Sequence, residues 1–94
     1  MEGHSHISSD VLARYAADAA LEVRGVREVI ETPLHRRGVK VAGDEIEVHL
    51  LVDYGVVFPD LAAAVQSRVT DYLLRMADVR PSAVNVVIDE VARP

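Results

Sequence analysis

The sequence predicts an α+β fold: a two-layer sandwich in the order α-β-β-β-α-β, with two helices packed on one face of a mixed four-stranded sheet. Three observations lead there. Two long stretches, 7–23 and 59–78, repeat apolar residues at helical spacing. Four shorter stretches, 26–31, 38–43, 45–54 and 83–91, are rich in β-branched residues and alternate in polarity or are bounded by turn residues. The second helix lies between the third and fourth strands, forming a βαβ unit that is expected to be right-handed.

The first helix, "ISSDVLARYAADAALEV", has an apolar face of Val11, Leu12, Tyr15, Ala16, Ala19, Ala20 and Val23. Ser8 is its expected N-cap, because a hydroxyl there accepts from a free backbone N–H two or three residues on. Asp10 sits in the first turn, where the helix dipole favours a negative charge. Ile7 is placed to pack on Leu12 across the cap, and Gly25 is expected to stop the helix. Three strands follow, "VREVIE", "GVKVAG" and "EIEVHLLVDY", the last with Ile46, Val48, Leu50, Val52 and Tyr54 on one face. Gly43-Asp44 signals a tight hairpin, although Asp-Gly is the more favoured order. In the second helix Leu61, Ala62, Val65, Val69, Tyr72, Leu73 and Met76 make one stripe. Pro59 suits its first position, where a missing N–H costs nothing. The preceding Phe58 is a poor cap, so this helix leans on packing.

Ninety-four residues suit one domain, and a chain of that size buries roughly 60–65% of its unfolded surface. Half the residues are apolar but only 4% are aromatic, so Val, Leu, Ile and Ala build the core. There is no cysteine, which excludes disulfides and thiolate metal sites. The formal charge of −5 repels nucleic acid and anionic lipid at long range. No run approaches the length of a membrane span, and "MEGHSHISSD" lacks the regions of a signal peptide.

The order of motifs resembles the alkaline shock protein family of bacteria, also called the envelope stress response or general stress protein family. The resemblance runs from about Ile7 to Val91. It rests on the capped opening helix "ISSDVLARYAADAALEVRGV", the "GVKV" strand Gly38–Val41, Tyr54-Gly55 followed by Pro59, and the closing Val84–Val86. It implies a single domain over 1–94, ordered over about 7–91. It also implies a non-catalytic cytoplasmic scaffold of the envelope stress response that self-associates and sits at the inner face of the membrane through an anchoring protein partner. Two departures stand out. The glycine-rich segment that many members carry between the first two strands shrinks here to "ETPLHRR", and their long polar tails are absent.

The residues themselves offer little chemistry. "VDYGVVFPD" raises the question of a phosphate loop, but it holds one glycine, and Pro59 removes an N–H at the helix start. The Rossmann and P-loop fingerprints are missing. The junction therefore reads as a turn in which Gly55 lets the chain leave the strand and Tyr54 caps the core edge. His4 and His6 could pinch a metal, but read first as a frayed terminus. His49 and Asp53 share a strand face with no Ser or Cys nucleophile assigned to them, and Glu45, Glu47 and Asp53 form an acidic face, not an acid/base pair. No catalytic residue, metal, cofactor or small-molecule substrate is expected. A KH-like nucleic-acid-binding domain is the competing class, yet the G-x-x-G clamp of that fold is absent, as are the paired strand aromatics of an RRM.

Two surfaces remain for partners. "HRRGVK" gathers His35, Arg36, Arg37 and Lys40, and Arg36, Arg37 and Lys40 suit an acidic partner or anionic headgroups. Leu51 and Val87 interrupt the polar faces of their strands and make a small apolar centre in a polar rim, the anatomy of an interface core; with His49 they form a candidate oligomer patch. The patch is small, so a weak homo-oligomer or a partner site is expected there.

Overall fold

The computed structural model describes residues 7–34 and 36–94, apart from the side chain of Arg36. His4, His6 and His35 lie outside the described residues. The elements are α1 (Ser9–Leu21), β1 (Val26–Val29), a 3-10 turn (Arg36–Gly38), β2 (Val39–Ala42), β3 (Glu45–Val52), α2 (Phe58–Ala77) and β4 (Ala83–Val91). This is the expected α-β-β-β-α-β order, and the sheet is mixed. β3 is central, antiparallel to β1 and β2 and parallel to β4. β2 pairs with the first half of β3, Glu45 to Val48, and β1 with its second half, Leu50 to Val52. The two short strands therefore lie end to end along one edge of β3, and β4 takes the other.

Alternation along β3 sets the two faces. Ile46, Val48, Leu50 and Val52 are buried under the helices, while Glu47, His49 and Leu51 look out from the opposite face. α2 delivers Leu61, Val65, Val69 and Leu73 to the same core at four-residue spacing. Burying each such side chain stabilises the fold by about 1.5–3 kcal/mol. The helices meet through Tyr15 and Tyr72, edge to face at 5.9 Å between centroids, and through a 2.7 Å ion pair of Arg68 with Glu22.

α1 opens as expected: the Ser8 hydroxyl accepts from the Val11 N–H at 3.2 Å. Its apolar face differs. Val11 is exposed, whereas Ala13 and Ala17 are buried beside Leu12, Ala16, Ala19 and Ala20. α1 touches α2 on one flank and β1 and β2 on another, so the buried arc is wider than one stripe and turned away from Val11. Gly25 has φ +100°, but the helix closes before it at Glu22. What requires glycine there is close packing: a Cβ would stand 2.9 Å from both Leu61 and Val56.

The hairpin between β2 and β3 explains its residue order. Gly43 has φ +62° and Asp44 a negative φ, with Ala42 paired to Glu45. Of the two-residue hairpin turns, type II′ has this sign pattern, and it wants glycine at the first central position. Gly43-Asp44 thus satisfies a different turn from Asp-Gly.

Three expectations around α2 need correction. The helix begins at Phe58, with Val57 as a cap that makes no side-chain bond, so Pro59 is the second helical residue. Met76 is the penultimate residue of the helix and is half exposed, while Leu73 and Ala77 take the core side of that last turn. Tyr54 does not cap the core edge. β3 ends at Val52, a turn through Gly55 (φ +90°) breaks the alternation, and Tyr54 is 67% exposed. The helix ends at Asp78 in the left-handed region, with its N–H bonded to the Leu74 carbonyl at 3.1 Å. Aspartate tolerates that conformation better than most residues.

Candidate functional site

The helices cover one face of the sheet, and no element among the described residues covers the other. Pairing across that open face follows from the register. Ala42 lies beside Glu45, Lys40 beside Glu47 and Glu28 beside Leu51 on one edge of β3. On the other edge Asn85 lies beside Glu47, Val87 beside His49 and Glu90 beside Leu51. Leu51 and Val87 are therefore diagonal neighbours on adjacent strands, each half-buried. The open face brings together the three residues of the expected patch, Leu51, Val87 and His49.

His49 is the most constrained side chain of this face. Its Nε2 is 2.7 Å from Glu47 Oε2 and its Nδ1 is 2.8 Å from Asp89 Oδ2. The side chain is 15% exposed. Partial burial pushes the ring towards neutrality, but the hydrogen bonds and charges of Glu47 and Asp89 outweigh it, and the pKa is held above the usual 6.5. Asp53 does not join His49. It pairs with Arg27 at 3.0 Å, beyond the end of β3. Among the described residues no cluster of three or more His, Asp or Glu is placed to hold a metal ion. Both ring nitrogens of His49 already face carboxylates, so the arrangement holds the ring between two acids and favours its protonated form.

Asp89 was not legible as a partner of His49. The ladder runs regularly to the Leu50–Ile88 pair and resumes at Leu51–Glu90, leaving Asp89 as the extra residue of a bulge. Nothing in the alternation of "AVNVVIDEV" marks that slip, although two adjacent acids near the end of an otherwise apolar strand are its one visible sign.

The basic cluster is divided by the fold. Arg37 turns towards α1, with Nε 3.5 Å from Asp10 Oδ1, while its N–H donates to Glu31 Oε1 at 2.9 Å. It also has φ +61°, so these two contacts hold a residue in a conformation that is costly for arginine. Lys40 lies on β2 beside Glu47, at the margin of the open face. Arg36 lies with Arg37 in the 3-10 turn.

The Tyr54-Gly55 junction borders an open cleft lined by Arg24, Asp53, Tyr54, Val57, Asp60 and Leu61. Two carboxylates against one guanidinium make it a poor seat for phosphate, in keeping with its reading as a turn.

No helix among the described residues is long and apolar enough to cross a membrane. Solved structures share the architecture. The MamM-CTD H264A structure superposes with a TM-score of 0.55 at 19% identity, covering 92% of this chain and all of that one. The manganese form of MamM CTD E289D gives 0.53 at 20% identity, covering 88% and 99%. At such identity the likeness concerns the fold alone. A sequence relative is the "Uncharacterized protein YqhY" of Bacillus subtilis (strain 168), 34% identical over 101 residues, which span 92% of this chain and 75% of that protein. The model of the alkaline shock protein 23 family, described as having cell envelope-related function, matches residues 1–93. With that match and that relative, the chain belongs to the alkaline shock protein family that its order of motifs resembles.

Proposed function

We propose that this protein is a non-catalytic interaction module of the bacterial envelope stress response, acting in the cytoplasm by self-association and by binding protein partners at the inner face of the membrane. The family supplies the envelope context. The observation that carries the reading is the uncovered sheet face, where Leu51 and Val87 lie diagonally adjacent within a rim of Glu28, Glu47, His49 and Glu90. A partly apolar centre with a polar rim suits a weak, reversible protein contact. The same rim is rich in carboxylates, which repel a phosphate backbone and argue against the KH-like alternative. Arg36, Arg37 and Lys40 are the candidate contacts for an acidic partner.

The test is a double substitution, Leu51→Lys with Val87→Lys, examined by sedimentation at high concentration and by co-purification from the native cells. Both side chains point away from the core, so the variant should stay folded while self-association or a co-purifying partner is lost. Unchanged association and an unchanged set of partners would refute the reading.

A further inference from the structure

Among the described residues β4 is an edge strand of nine residues; two guards against pairing with another chain, acidic side chains and a bulge, fall at Asp89 and Glu90, and the stretch from Ala83 to Ile88 has no proline, charge or bulge. Its hydrogen-bonding direction can be read from its neighbours. The His49 carbonyl accepts from Ile30 on the β1 side, and the Val52 carbonyl accepts from Ala92 on the β4 side. Peptide groups alternate along a strand, so Ile46, Val48 and Leu50 face β4. In a parallel ladder each of these bonds the two residues that flank its partner. The partners are Val84, Val86 and Ile88, so Ala83, Asn85 and Val87 turn their backbones to β3. Val84, Val86 and Ile88 then present their N–H and C=O groups outward, where no strand among the described residues meets them.

Two of these three side chains are also unfinished, whereas Val84 is buried. On β3 the core residues Val48 and Leu50 are fully buried, but Val86 and Ile88 beside them are only half-buried. The helix layer stops short of the sheet edge, and the apolar layer of the sheet continues past it.

We infer that β4 pairs edge to edge, antiparallel, with β4 of a second copy of this chain, about a two-fold axis at Val86. The three outward backbone positions are spaced symmetrically about that residue. The axis therefore pairs Val84 with the second copy's Ile88, and Val86 with its counterpart, using every outward group before the bulge at Asp89. On the helix side half-buried Val86 covers its counterpart, and half-buried Ile88 lies against the second copy's Val84, which its own core already buries. On the open side Asn85 meets Val87 and Ala83 meets Asp89, so no carboxylate faces a carboxylate. A slip by one residue would set core side chains against open-face ones. Moving the axis to Val87 sets Val84 against Glu90, across the bulge, and loses pairs. The pairing rests on the self-association proposed above but uses the strand edge, not the sheet face.

The chain contains no cysteine, so a single introduced thiol reports only on contacts between copies. On the axis, Cα atoms of a hydrogen-bonded antiparallel pair stand about 5.5 Å apart, within the disulfide range. Val86→Cys should convert to a disulfide-linked dimer under mild oxidation. Val87→Cys, off the axis and on the other face, should stay largely unlinked. Val86→Pro removes an outward N–H without touching the ladder to β3, and should sediment as a folded monomer. Should that proline variant fail to fold, the cysteine pair decides alone. Linking of Val87→Cys with no linking of Val86→Cys would overturn the inference, as would a wild type that stays monomeric at high concentration. Association lost in the Leu51→Lys, Val87→Lys variant, with Val86→Cys unlinked, would leave the sheet-face contact standing and remove this one.

Discussion

His49 and Asp89 meet at 2.8 Å across the β3–β4 ladder, although the register sets His49 beside Val87. Asp89 lies two residues beyond Val87, in the bulge, and its carboxylate reaches the ring from there. Glu47, two residues before His49 on the same face of β3, closes the other side at 2.7 Å.

This trio gives a pH dependence with a definite sign. A histidine whose folded pKa is raised binds its proton more tightly in the native state. Its contribution to stability is full below about 6.5, the unfolded value, and is lost as pH rises through the folded pKa. The melting temperature should therefore carry a component that falls across that window. Asp89→Asn removes one acid and should weaken this component and lower the His49 midpoint in an NMR titration. A wild-type midpoint at or below 6.5 would contradict the geometry.

The helical phase of α2 is tested by two neighbouring substitutions. Val65 is fully buried, and Val65→Asp should unfold the domain, because an unpaired buried charge costs several kcal/mol. Arg68 is about half exposed and pairs with Glu22, so Arg68→Glu should cost only about 1 kcal/mol or less. Denaturant melts that fell equally for both would be inconsistent with this packing.

Two glycines with similar backbone angles should respond differently to alanine. Gly43 has φ +62° and open space where a Cβ would go, so Gly43→Ala should cost about 1–2 kcal/mol of backbone strain. Gly38 has φ +73°, and a Cβ there would crowd Val29 and stand 2.6 Å from the Ile30 carbonyl oxygen. Gly38→Ala should be clearly the more damaging in equilibrium unfolding. Equal losses would show that the turn before β2 is looser than described.

For the basic turn, Arg36→Glu with Arg37→Glu should abolish binding to an acidic partner, or to vesicles rich in anionic lipid. Arg37 also holds Asp10 at 3.5 Å in an exposed pair, so the melting temperature should move only slightly. Retained binding in a co-sedimentation assay would return the cluster to an ordinary solvated turn.

The elements were legible because each carries a local signal. Ser8 caps α1, Gly43 turns the hairpin, and the alternation from Ile46 to Val52 runs true to the end of β3. The errors fall where the environment is set by distant chain. Val11 and Met76 obey the helical period but lie where no neighbour covers them, and Tyr54 continues an alternation that the backbone has already left. The candidate face was legible in part. Leu51 and Val87 break the polar pattern of their own strands, which sequence alone reveals. The His49–Asp89 contact and the tie of Arg37 to Asp10 join residues 40 and 27 positions apart, at a bulge and a left-handed turn that no local pattern announces.

One edge of β3 is shared between two short strands laid end to end, and the chain between them, around 30–38, has its tip at Leu34, 88% exposed. Both ladders are anchored independently of that tip. Extra chain inserted at 33–34 would loop outward from the rim and leave every rung of the sheet in place, and doubling such a loop costs only about 0.6 kcal/mol in closure entropy. The domain thus has a tolerant graft point beside its basic turn, a position where a recognition sequence or a fluorescent reporter can be spliced in without retuning the core.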